Sequence, residues 1–532
     1  MACSDFDHDF YLNWSTTMMI NNASNPYTPP TNPRVVELSP MAYRPPRSWN
    51  EGCPCHSLRR REHVPDNWLD EISCRLKFDP DRRPNYFVSD PKCLVTTSQP
   101  LNFTLGTGPQ VLSSVLPLCL ETNHELIFVS CFWSKKSESC RDVVSMLRKL
   151  SDKAVRLGRI IQVRICFSSE SSWRRFHPAR IKGKIYNSRS WKRLGLPAKE
   201  EIKGLNLVVK STFVPPFSVM HPKFILMDRQ KAWMPSCNVS WEAWLEGCIE
   251  MQGDITAKIY DFWSAFWGGV GAELPPLPIE SETSTRNPPE PEIIPGEVEQ
   301  SRERVASQTS VSLSGIPTIL LPSPHRWHPH FFQHRHHTTP LTSFLQHIFR
   351  RAKKKIYIQT PNLTCRLVIN ALIEAFMGGV DIHIITSRRL MTLEQLVTAG
   401  SITEYEVCHL GRSYKHQQHK RNVKIWKMKE RARKRNGYTG ITDLPRLGSL
   451  EIGYYKPRVL NEANEPVKSH LKFVCVDDEI TVLGSGNMDR ASWHTSQELG
   501  IAFFSKDLAK QLSKSVEDVL RERVKYAYKL ST

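Results

Sequence analysis

The sequence predicts an α/β protein built as an internal duplication, and three observations carry that expectation. Apolar strands alternate with helix-period segments in βαβ order, the same order returns after a proline-rich acidic stretch, and one spaced set of polar residues occurs once in each half. A chain of 532 residues with 40% hydrophobic and 23% charged side chains is long enough for several domains with their own cores. Lysine and arginine exceed aspartate and glutamate by 72 to 53, and the resulting charge of +19 favours anionic partners: nucleic acid, acidic lipid or phosphorylated substrates.

Taken in order, residues 1–95 are rich in Pro, Asn and Ser ("NNASNPYTPPTNPRVVELSPMAYRPPR") and read as an irregular, partly disordered arm. Within it "CPCH" at Cys53 to His56 lacks a second pair at zinc spacing and reads as a loop. A first α/β domain is expected over 96–271. Its strand "HELIFVSCFW", helix "CRDVVSMLRKLSDKAVRLG" and strand "IIQVRICFSS" make one βαβ unit. Residues 272–316, proline-rich and acidic, cannot build a core and read as a linker. A second domain is expected over 317–532, with helix "PLTSFLQHIFRRAKKK", strand "IYIQTPN", helix "RLVINALIEAFMGG" with its glycine stop, and strand "VDIHIITS". No run of about 18 apolar residues occurs, and the first thirty residues lack the basic-then-apolar order of a secretory signal. These features predict an intracellular protein, cytoplasmic and peripherally membrane-associated, with the nucleus as an alternative. The 14 scattered cysteines then read as free, mostly buried thiols.

The repeated set is "HPKFILMDRQKAWMPSCN" from His221 and "HLKFVCVDDEITVLGSGN" from His470. In both, a lysine follows the histidine by two positions, an aspartate by seven and an asparagine by seventeen: Lys223, Asp228 and Asn238, then Lys472, Asp477 and Asn487. Strand alternation puts histidine and lysine on one face, and the following turn and returning strand bring Asn487 and Ser485 back toward His470. An imidazole, an ammonium and an amide converging on one point make a receptor for a phosphate oxyanion. Two such half-sites related by a pseudo-twofold axis would set two histidines on opposite sides of one phosphorus.

These paired motifs, His-x-Lys, four residues, Asp, then a Gly-Ser-x-Asn-type turn, resemble those of the phospholipase D superfamily, over about residues 110–270 and 318–525. The resemblance extends to its cardiolipin synthase-like, transphosphatidylase branch. It implies two similar α/β domains about a pseudo-twofold axis with one shared active site, and phosphodiester chemistry that needs no metal and no cofactor. It implies that one histidine attacks phosphorus, to form a phosphohistidine, while the other protonates the leaving alcohol and then activates water or an acceptor alcohol. On that basis His221 is expected as nucleophile and His470 as acid and base. Lys223, Lys472, Asn238 and Asn487 are expected on the phosphoryl oxygens, with Ser236 and Ser485 also on the substrate. A downstream carboxylate orients each histidine in the family; Glu498 fits the second copy, and Glu246, or by raw spacing Glu250, fits the first. Asp228 and Asp477 complete the motifs and are read as holding the turns. The first copy departs from the pattern in Pro222 and in Pro235-Ser236-Cys237, where the second has Leu471 and Gly484-Ser485-Gly486.

The substrate is less legible. Residues 412–436 form a basic insert in which Arg412 to Arg435 hold eleven Lys or Arg against Glu430 alone. A solvated helix face, an anionic-membrane patch and a nucleic-acid groove are its three readings, and Val423, Ile425 and Trp426 among the charges favour the membrane. His325, His328, His330, His334, His336 and His337 lack paired ligands at fixed spacing and read as an exposed domain entry. The expected function is therefore a phospholipase D-like phosphodiesterase or phosphatidyltransferase acting on phospholipid at an anionic membrane surface, with no obligate protein partner. A nuclease or DNA-end-processing phosphodiesterase, and a catalytically weak membrane- or nucleic-acid-binding module, stand as alternatives.

Overall fold

A 3-10 turn at Pro91–Leu94 leads into the first strand, β1 (Val95–Thr107), whose Pro100 sits at an irregularity in the ladder, where a missing N–H is tolerated. The computed structural model describes residues 68–69, 91–169, 183–214, 218–269, 271–278, 306–323, 339–434, 444, 446–459 and 465–531. The "CPCH" loop and the histidines from His325 to His337 lie outside the described residues.

In the first half β1 is followed by α1 (Gly108–Val115), β2 (Glu125–Phe132), α2 (Glu138–Arg156), β3 (Ile161–Ser169), β4 (Lys184–Tyr186), α3 (Ser188–Trp191) and β5 (Leu205–Ser211). The short pair β6 (Phe213–Val214) and β7 (Ser218–Val219) leads to β8 (Phe224–Met227), β9 (Lys231–Pro235), β10 (Trp244–Gln252) and α4 (Ile255–Phe266). α2 forms where predicted. The Ser137 hydroxyl caps its first turn by accepting from the Cys140 N–H at 3.1 Å, and Val143, Met146, Leu147, Leu150 and Ala154 bury one stripe at helical spacing.

The second half runs through β11 (Ser307–Ser310), β12 (Ile316–Ser323), α5 (Pro340–Arg351), β13 (Lys355–Thr360), α6 (Arg366–Met377), β14 (Asp381–Thr386), α7 (Thr392–Ala399) and α8 (Thr403–Lys434). It closes with β15 (Leu450–Tyr455), β16 (Lys468–Ser469), β17 (Phe473–Val476), β18 (Ile480–Gly484), α9 (Arg490–His494), β19 (Glu498–Phe504), α10 (Lys506–Leu520) and β20 (Val524–Leu530).

The pairings give both halves one strand order. In the first it is β4-β5-β3-β2-β8-β9-β10-β1, with β5, β3 and β2 parallel and the rest antiparallel. In the second it is β20-β15-β14-β13-β17-β18-β19-β12, parallel over the same three positions. The sheets join where Val95–Ser98 of β1 pairs antiparallel with Ile316–Ile319 of β12. One buried apolar cluster runs through the junction, including Phe103, Met251 and Trp263 from one side and Phe344, Ile358 and Leu483 from the other.

Three expectations need correction. The N-terminal stretch is not wholly irregular, because Trp68 and Leu69 are buried and Trp68 packs edge-on against Phe344 while donating to the Ser343 hydroxyl at 3.2 Å. The linker ends earlier than 316: Ser307–Ser310 pairs with Asn102–Leu105 of β1, so a polar segment becomes a strand by completing an edge that β12 leaves open. The basic segment is no separate insert. It is the continuation of α8, a 32-residue helix whose Gly411 lets the Tyr528 ring approach to where a Cβ would be 2.5 Å from it. Among the described residues no helix is long and apolar enough to cross a membrane.

Candidate active site

The two histidines reach one site because each half extends a short strand into the other. Trp244 and Leu245 of β10 pair in parallel with Lys468 and Ser469 of β16, and the His470 N–H donates to the Leu245 carbonyl at 2.8 Å. The mirrored junction is a parallel bridge between Met220 and Gln497, where the His221 N–H donates to the Gln497 carbonyl at 3.0 Å. Parallel registry places the residue after each bridge side by side. His470 therefore meets Glu246, and His221 meets Glu498.

The carboxylates thus cross over, which corrects the expected pairing of each histidine with the glutamate of its own copy. His221 Nδ1 lies 2.8 Å from Glu498 Oε2, and His470 Nδ1 lies 2.8 Å from Glu246 Oε1. Glu250 faces Asn102, whose amide donates to it at 2.7 Å. With Nδ1–H donated to a carboxylate, each imidazole directs Nε2 into the site. For His221 that nitrogen has no hydrogen-bond partner among the described residues, whereas Lys472 Nζ lies 2.9 Å from His470 Nε2.

The serines hold the glutamates. The Ser236 hydroxyl donates to Glu246 Oε2 and accepts from the Gly247 N–H at 2.9 Å; the Ser485 hydroxyl donates to Glu498 Oε2 and accepts from the Leu499 N–H at 3.0 Å. Both serines are buried. Their expected place on the substrate is therefore corrected: their hydrogen-bonding capacity is directed at the carboxylates that orient the histidines.

The aspartates stand apart from this cluster. Asp228 accepts from the N–H groups of Asn123, His124 and Glu125, each at 2.8 Å, and Asp477 accepts from those of Lys353, Lys354 and Lys355 at 2.8, 2.7 and 3.0 Å. Four residues of extended chain lie between each lysine and its aspartate, a span of about 16 Å. Each clamps a turn, at positive φ of 49° and 56°, to the start of the neighbouring antiparallel strand.

Lys223 and Lys472 are buried beside the imidazoles. Lys223 donates to the His221 carbonyl at 2.9 Å and Lys472 to the His470 carbonyl at 2.7 Å. Burial brings the Lys472 ammonium down from 10.5 to about 7 against the pull of Glu246. Burial likewise lowers His470 to about 4, opposed by Glu246 and reinforced by Lys472 and Lys223, and lowers His221 against Glu498, with both lysines again adding to the fall. Each imidazole therefore feels both lysines, the electrostatic mark of a single shared site. Burial raises the Glu246 carboxyl, but His470, Lys472 and Ser236 outweigh it and hold it below its ordinary value.

The asparagines bond locally. Asn238 accepts from the Phe132 N–H at 3.3 Å and Asn487 donates to Asp489 at 3.0 Å. The departures of the first copy are absorbed locally. Pro222 falls between β7 and β8, outside both ladders, and its counterpart Leu471 packs where Gly247 has no side chain. Gly484 has a φ of 149° and a Cβ there would stand 2.3 Å from the Leu499 carbonyl, a constraint that the Pro235 copy lacks.

Sequence reading missed two features. Trp244 packs on His470 with ring centroids 4.9 Å apart, while the equivalent position in the other copy, two residues before Glu498, is Ser496. Ser168 and Ser387, at the ends of β3 and β14, brace the residues before the histidines: Ser168 accepts from the Met220 N–H at 3.0 Å and Ser387 from the Ser469 N–H at 3.0 Å. The signal was a serine closing both equivalent strands.

Residues 345–520 match the family described as "Cardiolipin synthase, PLD-like domain". Comparison with curated protein sequences finds no match. Among solved structures, phosphatidylserine synthase from Haemophilus influenzae Rd KW20 is similar at 12% identity and a TM-score of 0.47, over 81% of this chain and 89% of that one. Polyphosphate kinase from Porphyromonas gingivalis is similar at 11% identity and 0.42, over 80% and 48%, respectively. Nuc from Salmonella typhimurium, a phospholipase D family member, is similar at 14% identity and 0.25, over 40% and 98%.

Proposed function

We propose that the chain is a phospholipase D-superfamily enzyme, a reading supported by the match of residues 345–520 to the cardiolipin synthase, PLD-like domain family, and that it cleaves or exchanges phospholipid phosphodiesters through a phosphohistidine. The observation that carries this reading is the crossed pair of imidazole–carboxylate contacts around two buried lysines.

A phosphodiester anion enters between Lys223 and Lys472, and Lys472 turns from the His470 ring to a phosphoryl oxygen. Asn238 and Asn487 close on the same oxygens. The anion supplies the negative charge that favours an imidazolium at His470 despite its depressed basicity. His221 Nε2, left free by the Glu498 contact, attacks phosphorus; the bond to the leaving alcohol breaks, and its oxygen takes the His470 proton. An acceptor hydroxyl or water then gives its proton to His470 and attacks phosphorus, and the bond to His221 breaks. With the anion bound between them, Lys223 and Lys472 hold the oxyanion through both displacements.

The test is purified wild type beside His221→Ala and His470→Ala, offered phospholipid vesicles with a primary alcohol and, separately, single-stranded and duplex DNA. The expected result is a phosphatidyl alcohol formed by wild type and by neither variant. DNA cleavage lost in both variants, with no lipid product, would replace this reading by a nuclease.

A further inference from the structure

Helix α7 is sorted the wrong way round for a helix facing water. At 100° per residue, Leu393, Leu396 and Val397 share one face, and that face is open, with exposures of 59%, 49% and 55%. The one buried residue of the helix is Gln395, on the opposite side. Its amide donates to the Leu390 carbonyl at 2.5 Å and accepts from the Thr403 N–H and hydroxyl at 2.8 and 2.9 Å. Arg490, at the start of α9, donates to the Thr398 carbonyl at 2.7 Å. Polar bonds hold the helix down and its apolar side chains point out, the reverse of what burial in a water-soluble fold selects.

This helix stands on the rim of the active site. The segment leading into it lies against the strand that carries His470: the Ser387 hydroxyl donates to the Ser469 carbonyl at 2.7 Å and Lys468 donates to the Arg388 carbonyl at 2.5 Å. Next along the rim, the Val467 N–H donates to the Ala243 carbonyl at 2.8 Å, and Val467 and Trp241 are both exposed. Cations flank the apolar rim. Arg388 and Arg389 precede α7, and α8 runs twenty residues, about 30 Å, beyond Tyr414, its last buried residue. That stretch carries nine Lys and Arg against Glu430, with Trp426 exposed among them.

We propose that this rim docks on an anionic lipid bilayer, with Leu393, Leu396 and Val397 seated among the acyl chains and Arg388, Arg389 and the α8 cations at the headgroup phosphates. A nucleic acid would engage the cations and leave the outward leucines in water; a bilayer takes both, in the pattern of an interfacial helix. The inference rests on the lipid reading of the active site and gives it a route of access, since the mouth that holds His470 would face the membrane.

The experiment is flotation of the full chain with vesicles of phosphatidylcholine alone and of phosphatidylcholine mixed with phosphatidylglycerol, beside binding to duplex DNA. Two triple variants accompany wild type: Leu393→Ser with Leu396→Ser and Val397→Ser, and Lys424→Gln with Lys427→Gln and Arg431→Gln. All six positions are exposed, so thermal midpoints should stay at the wild-type value, which checks folding. Wild type is expected on the mixed vesicles and not on phosphatidylcholine. The α7 variant should lose about ten-fold or more in partition, and the α8 variant on the order of a hundred-fold at low salt. Absence of wild-type binding to mixed vesicles, or binding that survives the α7 substitutions, overturns the proposal; so does DNA binding tighter than vesicle binding. Vesicle binding with these losses but no lipid turnover keeps the docking surface and removes the transferase reading.

Discussion

Replacing Lys472 by methionine should stabilise the protein and abolish its turnover together. The side chain is 5% exposed, and burial holds its ammonium at about 7 where an unburied lysine titrates at 10.5. Near pH 7 the unfolded chain keeps this proton while the folded chain holds it about half the time. At ~1.4 kcal/mol per unit, the difference makes the buried cation cost about 4 kcal/mol at that pH. Methionine fills a similar volume without the charge. It also forfeits the hydrogen bond to the His470 carbonyl, worth ~1 kcal/mol, so the expected net gain is about 3 kcal/mol near neutrality.

The sign of the pH dependence follows from the depressed basicity. Between about pH 7 and 10.5 the unfolded chain binds more protons at this position than the folded one, so wild-type stability rises with pH across that window. The advantage of the methionine variant is therefore largest at and below pH 7 and shrinks by ~1.4 kcal/mol per unit above it. Urea denaturation of both proteins at about pH 7 and about pH 9 measures this directly. A variant less stable than wild type at neutral pH, or a difference that does not change with pH, would refute the assignment of Lys472 as a buried, strained cation. Retained turnover would refute its place on the phosphoryl group.

The crossed carboxylates predict different defects for Glu246→Gln and Glu498→Gln. Glu246 supports the proposed acid, so its variant should be rescued when the leaving alcohol is replaced by p-nitrophenol, which departs without a proton; Glu498 supports the nucleophile, and its variant should not be. The reverse pattern would restore within-copy pairing. Ser236→Ala leaves Glu246 Oε2 and the Gly247 N–H unpaired, and Ser485→Ala leaves the Leu499 N–H unpaired and Glu498 Oε2 with His221 alone; each should cost about 1–3 kcal/mol in stability, with a fall in kcat larger than any change in KM. Asp477→Ala removes the acceptor for three N–H groups and should lower stability by about 2–4 kcal/mol, while turnover per folded molecule in a soluble phosphodiester assay stays near wild type. Gly247→Ala would drive a Cβ to 2.6 Å from Leu471 Cδ1, between His470 and Lys472; it should cost activity through misplacement, with Leu471→Ala in the same chain restoring part of it.

Much of this site was legible because its parts are local. His-x-Lys alternation, a two-residue turn and a returning strand lie within nineteen positions, and the same spacing in two places specified both copies. The crossing was not legible, since it joins residues 277 and 224 positions apart. Spacing ties each glutamate to the nearest upstream histidine, and only the parallel ladders between the halves decide otherwise. The serines misled for a related reason. A hydroxyl two residues before the motif's asparagine looks directed at substrate, yet the glutamate that claims it arrives on the next strand. Ser307–Ser310 carries no apolar alternation and reads as linker until β1 presents an unfilled edge. In α8 the charge run hid a continuous helix, since composition changes at Arg412 while helical geometry does not.

The exchange of carboxylates makes the junction between the halves part of the chemical machinery. Neither half contains a histidine with its own orienting glutamate, so a half-site exists only once β16 has added to β10 and Met220 has bridged Gln497. Those ladders are two residues and one residue long, too short to fix their own register. The register is instead imposed from behind, by the β1–β12 ladder and by the shared apolar cluster that crosses it. A slip of one residue at either contact would turn a histidine or a glutamate to the opposite face of its strand. The apolar junction therefore sets the registry that the proposed chemistry requires. Substitutions in it, at Ile319 or Leu471, are expected to reach the imidazoles through registry, even where they touch no substrate.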